Sequence, residues 1–204
     1  MLRPRALALA TLSLALFDAA PSGATKEIGS TADAMTLTSP KFEHQGELPA
    51  RYTCDGIEAS PPLQWAGEPA KTQSLVLIVE DPDANDAHEA RRAYTHWLVF
   101  DIPPSAHVLN ETLHESLRAR RNLPEGAREG TNDAQRVGYS GPCPPSGRKH
   151  NYLFKLFALD VFVDLDAPVK AVLEKELHGH VLARAELIGT YERRKQASDG
   201  RAAE

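Results

Sequence analysis

The chain has 204 residues, 42% hydrophobic and 25% charged, with a formal net charge of −5. That is the balance of an ordinary globular domain, long enough for one full core. A mildly acidic body excludes nucleic acid as the main partner, and the basic runs Arg118-Ala119-Arg120-Arg121 and Arg193-Arg194-Lys195, with no aromatics among them, read as solvated surface.

In chain order, residues 1–24 read as an export signal. Met1 to Arg5 carry two arginines, Ala6 to Phe17 is apolar but short for a bilayer span, and Ser22-Gly23-Ala24 offers the small-x-small pattern of a cleavage site. Cleavage is expected after Ala24, leaving a periplasmic or secreted chain that does not span a membrane. No cysteine adjoins the cut, so no lipid anchor is expected. Residues 25–36 are small and polar and read as a flexible lead-in.

From Leu37 onward short apolar runs alternate with Pro/Gly punctuation. Leu75 to Val79 is nearly continuous and β-branched, the pattern of a strand buried on both faces. His96 to Phe100 is a second such run. The stretch 110–135 is charged with few apolar anchors and reads as a long surface excursion. Asn151 to Asp160 is a third strand, with Tyr152, Phe154, Leu156 and Ala158 on one face. A helix is predicted near residues 168–178, with Asp166 as its cap, Pro168 in its first turn and Gly179 ending it. Ala185 to Glu192 closes the series as a late strand, and residues 194–204 read as a disordered tail. Many short strands with Pro/Gly turns predict a mainly β chain, a sandwich or barrel with a helix appended.

Two features carry chemistry. Gly141-Pro142-Cys143-Pro144-Pro145-Ser146-Gly147 is a stiff loop running into a strand whose first inward groups are His150 and Tyr152. Prolines fix the backbone, and residues two apart on a strand share a face, so a rigid wall would carry an imidazole and a phenol together. Asp81-Pro82-Asp83 holds two carboxylates at the end of the Leu75 strand, and His96 opens the next. If those strands are neighbours, Asp81 would approach His96 and orient it. Each part has a plain alternative: Asp-Pro-Asp as turn chemistry, His96 as a satisfied structural histidine. Cys54 and Cys143 allow one disulfide in an oxidising compartment, or two buried thiols.

The ordered motifs Ser39-Pro40-Lys41-Phe42, Tyr52-Thr53-Cys54-Asp55-Gly56, Ser60-Pro61-Pro62-Leu63-Gln64-Trp65, Asp81-Pro82-Asp83-Ala84, Thr95-His96-Trp97, Gly138 to Pro145 and Gly179-His180-Val181-Leu182-Ala183 closely resemble the phosphatidylethanolamine-binding protein family. The chain looks like its bacterial branch, often called Raf-kinase-inhibitor-like proteins. The likeness spans roughly residues 37–193. It implies two antiparallel sheets in a Greek-key sandwich with peripheral helices, and a small anion pocket at one end. Asp81, Asp83, His96, Gly141, His150 and Tyr152 match the family's pocket positions. It also implies a homodimer in some bacterial members. Asn85 departs from the family's usual proline, and residues 86–93 are longer and more charged than usual, so Arg91 or Arg92 would be placed to reach a bound anion.

These readings lead to an exported protein that binds a phosphate or phosphoryl headgroup such as phosphoethanolamine, with no cofactor and with its protein partner unspecified. The competing readings are a phosphoester hydrolase using an Asp81–His96 general base, for which no nucleophile stands out, and a zinc site of Asp81, His96 and His150.

Overall fold

The computed structural model describes residues 34–84, 92–112 and 122–194. Nine strands, one α-helix and a short 3-10 turn (Ala50–Tyr52) make up this part of the chain. A small sheet takes β1 (Thr36–Thr38), β3 (Leu63–Ala66) and β6 (Val108–Leu109), in the order β1-β3-β6. A large sheet takes β2 (Gly46–Glu47), β4 (Ser74–Asp81), β5 (Tyr94–Ile102), β7 (Arg128–Glu129), β8 (Lys149–Leu159) and β9 (Val181–Glu192), in the order β2-β9-β8-β4-β5-β7. All pairings are antiparallel except β2 on β9, a two-residue parallel edge.

β4 explains the layering. It lies between β5 and β8 and every residue of it is buried. One face, Leu75, Leu77 and Val79, packs with Leu37, Leu63, Trp65 and Leu109 of the small sheet and with Trp97, Phe154 and Leu156 of the large one. The other face, Val76 and Ile78, packs with Leu98, Phe100 and Leu159 beneath Leu173 and Leu177 of α1 (Lys170–Leu177). Complete burial of each such side chain stabilises by about 2 kcal/mol, so this one segment anchors both the inter-sheet core and the helix. The burial pattern of β8 alternates from His150 to Leu156, with the even-numbered residues inward. Met35, expected in the flexible lead-in, is already buried in the inter-sheet core.

Two local expectations need correction. Asp166 does not cap α1: Val169, extended and without a side-chain cap, precedes its first residue. Thr131 delays the helix by holding the preceding backbone, donating from its amide to the Pro168 carbonyl (2.9 Å) and from Oγ1 to the Ala167 carbonyl (2.9 Å). Gly179 ends the helical segment at φ +85°, a left-handed position that favours glycine. The second correction concerns residues 122–135, which are more than a surface excursion. β7 pairs with β5, and its charges are engaged: Glu129 accepts from Trp97 Nε1 (2.8 Å) and Arg128 stacks on Phe100 with its guanidinium 4.9 Å from the ring centre. Asn132, buried, donates to the Gly138 carbonyl (2.8 Å) and accepts from the Arg136 amide (3.1 Å), closing the turn after β7. The middle of the excursion, residues 113–121, lies outside the described residues, as do the Arg118–Arg121 run and Arg91.

Candidate functional site

β4 ends, and β5 and β8 begin, at the same rim of the large sheet, because β4 runs antiparallel to both neighbours. At that rim lies a cavity of about 460 Å³, lined by Asp81, Asp83, His96, Gly141 and His150 together with Glu58, Tyr94, Arg136, Arg148 and both cysteines. The volume falls in the range of roughly 300–1,000 Å³ typical of small-ligand sites. A larger hollow of about 660 Å³ beside Asp55 and Tyr191 is less informative. There Asp55 already accepts from the Tyr191 hydroxyl (2.7 Å) and Arg193 Nε (3.1 Å), so these three groups answer one another.

The rim cavity is different. His150 Nδ1 and Asp81 Oδ2 are 2.7 Å apart, both side chains about 4% exposed. With the imidazole Nδ1–H donating to the carboxylate, Nε2 is left buried and without a hydrogen-bond partner among the described residues. The other Asp81 oxygen accepts from the Asp83 amide at 2.8 Å, so Pro82 sits in a tight Asx turn. Asp83 in turn closes the rim, its Oδ2 accepting from both the amide and the side-chain nitrogen of Asn151, each at 2.8 Å.

His96 reaches the cavity through a break in register. Val79 pairs with Trp97 but Glu80 pairs with Thr95, which leaves His96 as an extra residue on β5. Such a bulge re-aims a side chain. The ring of His96 lies between those of Tyr94 (centroids 4.9 Å) and Tyr152 (5.3 Å, edge-on). Its Nδ1 donates to the Ser140 carbonyl at 2.7 Å, and the Ser140 amide donates to the His96 carbonyl at 2.9 Å. Burial first of all pushes the His96 proton affinity down, against the Ser140 bond and the Asp81 charge, which push it up. Asp81 therefore partners His150, and the expected Asp81–His96 pairing is not formed.

Tyr152 belongs to the site but stands beneath its lining. Its ring supports His96, and its hydroxyl, buried near the Asp81 carboxylate, completes no hydrogen bond of full geometry. Burial, then the Asp81 charge, pushes its phenol well above the usual tyrosine range. Gly141 works by close approach: a Cβ there would lie 3.0 Å from the Tyr52 carbonyl oxygen and 3.1 Å from Thr53 Cα. That contact is tied down by a Cys54–Cys143 disulfide (Cα–Cα 5.4 Å), by the Cys54 amide donating to the Pro142 carbonyl (3.1 Å) and by the Tyr139 hydroxyl donating to the Tyr52 carbonyl (2.8 Å). Of the two residue states left open by the sequence, the bridge is the one present.

Arg92 does not line the cavity; it pairs with Asp133 at 3.2 Å, and Asp133 also accepts from the Thr95 amide at 2.7 Å. Among the described residues the cations at the cavity are Arg136 and Arg148, which the sequence reading missed. Arg136 follows a turn set by Asn132, and Arg148 follows the Pro/Gly loop; neither sits in a motif that singles out a charge.

A two-sheet β domain with a polar cavity where three strands meet at one rim is a ligand-binding fold, and no helix among the described residues is long and apolar enough to cross a membrane. The chain belongs to the phosphatidylethanolamine-binding protein family, whose model matches residues 38–192. A UPF0098 protein of Methanothermobacter thermautotrophicus is 46% identical over 78% of this chain and 99% of its own length. Among solved structures, a phosphatidylethanolamine-binding protein homolog of Chlamydia trachomatis is 38% identical with a TM-score of 0.68, and E. coli YbcL is 31% identical with a TM-score of 0.69. Each match covers 78% of this chain and 98% of the solved one.

Proposed function

We propose that the rim cavity binds a phosphate or the phosphoryl headgroup of a small molecule such as phosphoethanolamine, in a protein acting after export. The observation that carries this reading is the buried, unpartnered Nε2 of His150. A buried polar atom without a partner is costly, and at the wall of a cavity a bound ligand can complete the bonding. Held by Asp81 on one nitrogen, His150 has Nε2 left to bond a phosphoryl hydroxyl, or a phosphoryl oxygen through a shared proton. Arg136 and Arg148 offset the Asp81 and Asp83 charges that would otherwise repel the anion. His96, whose proton affinity burial lowers, is neutral before binding and takes up a proton as a dianion arrives. Export is supported by the signal-like residues 1–24 and by the disulfide, which persists in oxidising compartments.

The test is calorimetric titration of the mature chain with inorganic phosphate and with phosphoethanolamine, alongside His150→Gln. Loss of a charge-assisted bond of about 1.5–3 kcal/mol predicts a fall in affinity of roughly 10- to 100-fold. Affinity unchanged in His150→Gln, or no uptake by the native chain of either compound, refutes the reading. A crystal soaked with phosphoethanolamine gives the direct view: the phosphoryl group is expected within hydrogen-bond reach of His150 Nε2.

A further inference from the structure

One pair of charges at the cavity is not accounted for by an anion site. Glu58 Oε2 lies 3.6 Å from an Arg136 guanidinium nitrogen, and the same nitrogen donates to Ser140 Oγ at 3.1 Å. Both residues line the cavity, the glutamate about one-third and the arginine about half exposed, so the pair sits at the mouth. A carboxylate beside the very cation that an anion would seek works against anion binding. Its charge also acts inside: it pushes the His96 and Tyr94 proton affinities upward, alongside other groups.

The backbone holds Glu58 there at a cost. Its φ is +50°, a left-handed conformation that disfavours a non-glycine residue by roughly 1–2 kcal/mol. The loop enforces that conformation. The Gly56 amide donates to the Thr53 carbonyl (3.0 Å), the Ala59 amide donates to the Arg51 carbonyl (3.2 Å), and Cys54 is bridged to the opposite wall. A Cβ on Gly56 would meet the Ala50 carbonyl oxygen at 2.2 Å, so the loop packs against that backbone too closely to admit a side chain there. A strained residue kept rigid at a cavity mouth points to its side chain as the reason.

We propose that Glu58 is the charge-selectivity residue of this pocket: it holds back bare anions and favours phosphoryl ligands that bring their own positive group. This rests on the reading of the cavity as a phosphoryl site. A bare dianion must share Arg136 with Glu58 and feels the Glu58, Asp81 and Asp83 charges together. A zwitterionic ligand exchanges partners instead: its phosphoryl group takes Arg136, its cation takes Glu58, and the mouth keeps the charge balance it had. Discrimination then comes from a repulsive element as well as an attractive one.

The experiment titrates the native chain, Glu58→Gln and Glu58→Asn with two probes, inorganic phosphate and phosphocholine, at one pH and one ionic strength. Asparagine tolerates the left-handed backbone, so the second variant separates charge from strain. In both variants phosphate affinity should rise about 5- to 10-fold while phosphocholine affinity falls several-fold, so the phosphocholine-to-phosphate ratio drops more than tenfold, on the order of one surface charge interaction at each end. Arg136→Gln should weaken both probes. If the native chain binds phosphate or phosphocholine but the ratio is unchanged in both variants, Glu58 is an ordinary surface ion pair and the assignment is overturned while the phosphoryl site stands. If the native chain binds neither probe, the site reading fails and the assignment falls with it.

Discussion

Glu80 and Asp81 are consecutive carboxylates, both buried, on opposite faces of β4. Glu80 faces the helix side, where Lys155 and Lys170 each bond one of its oxygens. Burial pushes its proton affinity up, but the two lysines outweigh that and hold it below the usual carboxylate range. Every strong partner is present, and α1 is thereby clamped to the sheet. Asp81 faces the cavity and has one imidazole, His150, whose far nitrogen has nothing to bond. Burial is the same and chemistry is opposite. What separates the two acids is whether the hydrogen-bond network around each is closed.

Removing what holds the cavity walls together should have the largest effect. The disulfide spans 89 residues of sequence, and the chain-entropy model assigns such a loop roughly 4–5 kcal/mol as an upper value. Reduction, or Cys54→Ser with Cys143→Ser, should lower urea stability by about 3–4 kcal/mol and also weaken phosphate affinity, because Gly141 and the Cys54 loop no longer press together. Full affinity in the reduced, folded protein would show that the walls are independent of the bridge.

Glu80→Gln comes next and separates the two acids. Leaving Lys170, only 12% exposed in its side chain, with no counter-charge but the exposed Glu174 carboxylate 3.7 Å away should cost about 3 kcal/mol in urea unfolding. Phosphate affinity measured well below the unfolding transition should stay within about twofold, since Glu80 points away from the cavity and a closed network transmits little to it. A tenfold loss of affinity would erase the distinction drawn between the two faces.

Much of this was legible in the sequence. The β4, β5, β8 and β9 strands announce themselves by β-branched runs and alternation, and the inward sharing of His150 and Tyr152 follows from a period of two. The partner of Asp81 did not follow. β4 has an antiparallel neighbour on each side, one bringing His96 and the other His150, and nothing in the order of residues says which imidazole the carboxylate meets. The bulge at His96 is equally silent, since it arises from a register slip between paired strands rather than from any residue type. Glu58, Arg136 and Arg148 sit on loops whose meeting depends on tertiary packing, so composition could not single them out. The Asp166 cap failed because a distant residue, Thr131, overrode a local preference.

Gly141→Ala should act on the cavity wall with a smaller effect. The new methyl would press on the Tyr52 and Thr53 backbone at 3.0–3.1 Å, and backbone yields less easily than a side-chain tip. A cost of about 1–2 kcal/mol is expected from such overpacking, with a severalfold loss of phosphate affinity as the cavity wall shifts. Thermal unfolding and the same calorimetric titration read both. A stability loss with no change in affinity would place Gly141 in the fold alone.

The smallest effect tests the sign of the His96 shift. Its folded proton affinity lies below the ordinary value near pH 6.5, chiefly through burial. The unfolded chain therefore binds the proton more readily, so the stability owed to neutral His96 is complete above pH 6.5 and drains away as pH falls toward the folded value. Anion binding runs the other way, because a bound dianion favours the imidazolium. Sulfate stays doubly charged across this range, so its affinity should climb as pH drops through 6.5 and below, while stability of the free protein falls over the same interval. His96→Asn should flatten the stability slope and reduce the sulfate slope. Parallel pH profiles in the native chain and in His96→Asn would mean that this imidazole, for all its burial, neither titrates with binding nor opposes folding.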